Sequence, residues 1–170
     1  IRLIKPKKKQ VILHFEAGIE AQNQREFHSR ARQLYPENKL IIEEFVKKHS
    51  EYNFIEVGLK GIGIEGCHQF LNQPLDNLLE LIAESEYFIG INSGPINLAV
   101  AFDLKCICVI NFPPAELVVL PNLKFTGSLD EDWHYPMNVH LHQDSEGPQV
   151  KRFSLENLEK AWAGDLYPYW

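Results

Sequence analysis

Residues 78–113 read LLELIAESEYFIGINSGPINLAVAFDLKCICVINFP, and no other stretch restricts the possible folds as tightly. The pattern is an amphipathic helix, a short aromatic-rich apolar run, a polar turn at Asn92-Ser93-Gly94-Pro95, a short helix and a second apolar run at 105–111. In that second run Cys106, Cys108 and Ile110 alternate with Ile107 and Val109, so both faces are apolar and the strand must be covered on both sides. This succession is one unit of a parallel α/β sheet. The turn falls at the carboxyl end of the first strand and opens the next helix. Open α/β sheets bind ligands there, because the first amides of a helix lack internal partners and present partial positive charge to an anion. Gly94 lets a phosphate or sugar approach the backbone, and Ser93 offers a hydroxyl. Pro95, at the first helical position, gives up an amide hydrogen that would have had no partner. The small residues Ala99 and Ala101 predict a helix lying close to the sheet.

Residues 93–101, SGPINLAVA, following a helix and an aromatic-rich strand, resemble the Asp-Ser/Thr-Gly-x-x-His-Leu-Ala signature of heptosyltransferase-like glycosyltransferases, glycosyltransferase family nine. The resemblance implies the C-terminal half of a two-domain GT-B fold, where this segment holds the diphosphate and sugar of a donor such as ADP-heptose. It implies that Ser93 and Gly94 meet the diphosphate. Asn92 stands where the family has Asp, and Asn97 where it has His, so a carboxylate and an imidazole are replaced by neutral amides. In the family, the loop after the first strand of this domain ends in a basic residue, an aromatic and a proline, and the basic group helps neutralise phosphate. Here that loop contains Gly18 and is approximated by Arg30, Arg32 and Tyr35-Pro36; guanidinium groups suit phosphate because they donate two hydrogen bonds in a fixed fork. The general base belongs to the other domain in this family, so no catalytic residue is assigned here. The implied chemistry uses a nucleotide-diphosphate sugar as substrate, with no cofactor and no metal. The implied partner is an N-terminal acceptor domain or a separate chain supplying it.

The 170 residues, 45% hydrophobic and 24% charged, suit one globular domain with a sizeable core, assigned to residues 11–170. Residues 1–10, with Arg2, Lys5, Lys7, Lys8 and Lys9 around Pro6, read as an interdomain linker or a solvated tail. A net charge of −6 argues against a nucleic-acid binder, which needs a basic face. No apolar run approaches the ~20 residues of a membrane span, and no signal peptide is visible. Cys67, Cys106 and Cys108 make an odd count and read as reduced core thiols of a cytoplasmic protein.

In chain order, residues 11–15 form a first buried strand. His14 and His28 read as packing or loop residues. From Glu37 the pattern is helical, with Ile41, Ile42, Phe45 and Val46 opposite Glu43, Glu44, Lys47 and Lys48. Residues 53–57 form a second strand. Residues 61–66, GIGIEG, satisfy G-x-G-x-x-G, yet a dinucleotide-binding turn must open a helix directly after the first strand, and here helical pattern resumes only at Pro74. A glycine-rich connection or an edge strand is expected instead. The helix after Pro74 carries Leu75, Leu78, Leu79 and Ile82 on its apolar face, with Asp76 in its first turn. Topology alone places Phe70 and Asn72 near a bound nucleoside.

Asp130-Glu131-Asp132 has the composition of a metal-holding acidic pair but follows Thr126-Gly127-Ser128 in a loop, and reads as a solvated turn. His140 and His142 share a face of a strand over 138–142, without a third metal ligand nearby in sequence. Residues 150–153 suit a last strand. Ser154 caps a final helix over 155–163, and the aromatic tail DLYPYW at 165–170 needs a surface to pack on. The expected architecture is a Rossmann-like three-layer α/β sandwich, half of a GT-B fold, with five or six mostly parallel strands and helices on both faces. The expected function is donor binding in a metal-independent glycosyltransferase of glycan or lipopolysaccharide-type biosynthesis. The competing expectation is a noncatalytic binding or assembly module that kept the half-fold, supported by Asn92 and Asn97. An open, positively polarised pocket at Ser93-Gly94 favours the first; a filled one favours the second.

Overall fold

The computed structural model describes residues 7–16, 34, 36–91, 93–110, 138–142 and 154–163. The apolar runs become strands and the amphipathic segments helices. In chain order they are β1 (Gln10–His14), α1 (Pro36–Lys48), β2 (Asn53–Gly58), β3 (His68–Leu71), α2 (Leu75–Glu84), β4 (Tyr87–Ile91), α3 (Gly94–Ala101), β5 (Lys105–Ile110), β6 (Asn138–His142) and α4 (Leu155–Ala163).

The strands form one six-stranded sheet in the order β3-β2-β1-β4-β5-β6. Every pairing is parallel. Strand order runs outward from β1 in one direction and then from β4 in the other, so the connections on either side depart to opposite faces and leave a crevice above the carboxyl ends of β1 and β4. Opposite those ends, His14 is in register with Gly90.

Alternation along the strands sends side chains into two cores. On one face Val11, Leu13, Ile89, Ile91, Ile107 and Val109 pack against Ile42, Phe45 and Val46 of α1 and Leu158 and Ala161 of α4. On the other, Ile12, Ile55, Val57, Phe88 and Cys106 pack against Ile82 of α2 and Ile96, Ala99 and Val100 of α3. Burying each of the Val, Leu, Ile and Phe side chains among these contributes about 1.5–3 kcal/mol, and this two-sided burial drives the three-layer arrangement. The expected Rossmann-like α/β class is therefore the observed one.

Several local expectations change. Ala99 lies fully buried against the sheet, but Ala101 is exposed, one residue past the contact. Leu75, placed on the apolar face of α2, is 62% exposed because the helix begins beyond the edge of the core. The glycine run 61–66 is a connection, and the edge strand is β3, directly after it. β5 ends at Ile110; Asn111 lies outside the described residues. So do the acidic turn at 130–132, the expected strand at 150–153 and the aromatic tail.

Within the basic lead-in, Lys7 Nζ donates to Ala83 O (3.0 Å) and Phe102 O (3.1 Å), placing a cation at the carboxyl ends of α2 and α3 where helix dipoles favour it. Lys8 pairs with Glu84. Ser154 caps α4 as expected, its Oγ accepting the Asn157 N–H at 3.0 Å. Among the described residues no helix is long and apolar enough to cross a membrane.

Candidate functional site

A cavity of about 340 Å³ opens in the crevice above β1 and β4. Val57, Phe70, Leu78 and Ile91 give it apolar walls. His14 and Glu16 reach it from the end of β1, Gly58 and Leu59 from the end of β2, Asn72 and Gln73 from the end of β3, and Ser93, Gly94 and Pro95 from the start of α3. Its size and its mixture of apolar wall with a few convergent polar groups are those of a small-molecule site.

Ser93 has extended backbone dihedrals (φ −156°, ψ 170°) at the N-cap of α3, but its side chain does not cap that helix. Its Oγ lies instead 3.0 Å from Nδ1 of His14. Serine at this position ordinarily accepts one of the first helical N–H groups. Diverting the hydroxyl to His14 leaves those N–H groups without that acceptor, beside the cavity. Among the described residues, a Cβ added at Gly94 would meet no atom of another segment within 4 Å, so the space in front of the helix start is open there.

His14 is 8% exposed. Burial pushes its imidazole below the ordinary range, against the opposing pull of the Glu16 and Glu56 carboxylates. Glu16 is held in turn by a backbone nest: its Oε2 accepts the N–H groups of Leu59 (2.7 Å), Lys60 (2.9 Å) and Gly61 (3.0 Å). Burial raises the Glu16 pKa, but the three amides outweigh it and the net displacement is downward. Glu56, 1% exposed, accepts from Ile62 N through Oε1, and from Ile64 N (3.0 Å) and the Gln69 side chain (2.7 Å) through Oε2. Gly61 and Gly63 adopt φ of +68° and +71°, which turns successive amides toward these two carboxylates. The G-x-G-x-x-G run thus wraps internal anions.

Of the residues assigned to donor binding, Ser93 and Gly94 line the cavity. Asn97 does not: it sits one turn into α3, where its Nδ2 donates to Ser93 O at 3.3 Å and its Oδ1 is buried without a hydrogen bond among the described residues. It braces the turn from behind. Asn92, Gly18, Arg30 and Arg32 lie outside the described residues. Phe70 and Asn72, placed by topology, do reach the cavity. Sequence reading missed His14 and Glu16. The available signal was a polar residue ending the apolar strand β1, at the carboxyl edge where such sheets bind ligands. Among the described residues no group of three or more His, Cys, Asp or Glu side chains is arranged to hold a metal ion.

No family profile and no curated protein matches this sequence. Solved structures do match. The E. coli heptosyltransferase WaaC, solved with ADP, superposes with a TM-score of 0.61 at 9% identity, over 92% of this chain and 44% of that one. E. coli ADP-heptose lipopolysaccharide heptosyltransferase II gives a TM-score of 0.54 at 13% identity, over 95% of this chain and 46% of the other. The dodecameric iron-containing glycosyltransferase TibC of enterotoxigenic E. coli gives 0.50 at 19%, over 84% and 32%. The chain spans less than half the length of each of these proteins. At such identities the likeness is one of fold, and that fold is heptosyltransferase-like, as the motif at 93–101 implied.

Proposed function

We propose that this chain is the donor-binding half of a metal-independent glycosyltransferase, taking a nucleotide-diphosphate sugar for glycan or lipopolysaccharide-type synthesis in the cytoplasm. The observation that carries this reading is the cavity at Ser93-Gly94, open in front of α3 and walled by apolar groups that suit a nucleoside. The fold neighbours support it, since one was solved with ADP and another is an ADP-heptose enzyme. In this reading the nucleobase lies between Phe70 and Leu78, and the diphosphate faces Ser93 and the first amides of α3. Arg30 or Arg32 adds positive charge. As the glycosidic bond breaks, negative charge grows on the departing diphosphate, and fixed amide dipoles stabilise it without reorganising. The acceptor and its general base come from an N-terminal domain or a partner chain.

A noncatalytic binding module is the second reading, favoured by Asn97, whose side-chain donor is committed to the turn itself. Calorimetric titration with ADP, UDP, GDP and CDP, with and without magnesium, separates the two. Donor binding predicts saturable, magnesium-independent affinity for one of them, weakened at least about tenfold, or about 1.4 kcal/mol, in Gly94→Val. Among the described residues the added Cβ meets nothing of another segment within 4 Å, and a thermal melt of the empty variant separates lost ligand space from misfolding. Absence of binding to all four sinks the donor reading and leaves the module.

A further inference from the structure

We propose that His14 is the proton-coupled positioning residue of this site: it holds the Ser93 hydroxyl while the cavity is empty and takes up a proton when a phosphate anion seats on Ser93. The inference rests on reading the cavity as a nucleoside diphosphate site, and it adds how that site responds to pH.

The argument begins with the 3.0 Å contact between Ser93 Oγ and His14 Nδ1. A hydroxyl can donate in only one direction. In the empty cavity, donation to a neutral Nδ1 satisfies both groups in a place where water reaches His14 poorly. An incoming phosphate oxygen is a stronger acceptor, because hydrogen bonds to an ionised group are about twice as strong as neutral ones. Once the Ser93 hydroxyl turns to it, Nδ1 faces Oγ as a donor, either by a shift of the neutral ring's proton or by uptake of a second one. Negative charge of the phosphate, added to that of Glu16 and Glu56, favours the second, which places a positive charge behind the phosphate.

The groups acting on His14 pull in opposite directions. Glu16, two residues on from it, and Glu56 of β2 both favour a charged ring, while burial opposes it and prevails when the cavity is empty. From β4 the residue in register is Gly90, which carries no charge, and from α3 it is the Ser93 hydroxyl. Glu16 is itself fixed in place by three amides, so it remains a constant neighbour during the exchange. A diphosphate adds further negative charge on the open side of the ring, and an opposite charge within a few ångströms raises a histidine pKa by about 1–3 units.

The test is calorimetric titration of the chain with ADP near pH 8, in two non-phosphate buffers of different ionisation enthalpy. A phosphate monoester has its second pKa at about 6, so at that pH the nucleotide itself exchanges little proton. The expected result is net proton uptake on ADP binding, with affinity falling by up to about tenfold per pH unit as pH rises. His14→Asn places an amide nitrogen near the position of Nδ1 and cannot titrate. It is expected to bind ADP with no linked proton and a flat pH profile, and a thermal melt of the empty variant checks that it folds. Wild-type binding that is proton-neutral and independent of pH overturns the proposal and leaves the donor reading standing. The same proton uptake persisting in His14→Asn also overturns it. No binding of any nucleotide overturns both.

Discussion

At Gly90 the sheet has no room for a side chain. A Cβ there would stand 2.4 Å from the carbonyl oxygen of His14 and 2.9 Å from the Phe88 ring. β1 is held between β2 and β4, so its backbone cannot move away from Gly90 without stretching its ladder to β4 and crowding β2, and Gly90→Ala is expected to destabilise the fold by about 1–3 kcal/mol, as overpacking does, read as a lower urea midpoint with unchanged slope. Glu56 makes a different demand. Its two oxygens accept three hydrogen bonds in a buried place, and a glutamine there turns a donor toward donors. Glu56→Gln should cost about 1–3 kcal/mol and speed hydrogen exchange at Ile62 and Ile64; unchanged exchange at both amides would refute the assigned contacts. Glu16 adds a pH dependence. Its folded pKa is depressed, so its contribution is present above the ordinary carboxylate range and lost as pH falls through the folded value. The stability gap between wild type and Glu16→Gln should therefore be widest near neutrality and close in strong acid. Ser93 and Gly94 were legible in the sequence because a strand-to-helix turn dictates its own residue types. His14, Glu16 and Glu56 were not. What defines Glu16 is a set of amides 43 to 45 positions away, and what defines His14 is a hydroxyl 79 positions away, and no local pattern encodes either return.

At the scale of elements, α4 was legible down to its cap, because a capping serine, an acidic first turn at Glu156 and a glycine stop at Gly164 are local signals. Its docking partner was not. The structure sets the Trp162 ring in a stack on Tyr87 at 3.7 Å, with edge contacts to Phe45 at 5.3 Å and Tyr52 at 5.0 Å. Lys48 and His49, at the end of α1, reach Glu159. Partly exposed ion pairs of this kind contribute little, so the aromatic packing is what seats the helix. Trp162→Ala should cost about 2–4 kcal/mol and open residues 155–163 to hydrogen exchange before the sheet, whereas Lys48→Ala should change stability by less than about 1 kcal/mol. Equal effects of the two variants would refute that ranking. β3 escaped sequence reading for a related reason. It is four residues long, borders β2 alone and leaves His68 and Gln69 exposed, so it carries neither the length nor the alternation by which strands announce themselves.

For the molecule as a whole, the sequence showed that parallel units were present but not how they were ordered. Periodicity marks a strand without naming its neighbour, and here β1 pairs with β2 on one side and β4 on the other. That pairing creates the reversal of strand order, and the reversal creates the cavity. The site is thus a property of topology that the Ser93-Gly94 turn only occupies. Ligand that binds this crevice bridges both halves of the sheet and should stabilise the entire fold. At a hundredfold excess over Kd the linkage amounts to about 2.7 kcal/mol. For a domain of this size each kcal/mol moves the melting temperature by about 2–4 °C, so a saturating nucleoside diphosphate should raise it by about 5–10 °C. Gly94→Val should melt close to where the empty wild type melts, since its Cβ meets no described residue of another segment within 4 Å, and should gain nothing from the nucleotide. An equal shift in both proteins would place the ligand elsewhere on the surface. A variant that melts lower when empty would mean that the helix start is packed and not open, and the geometric premise of the site would fall with it.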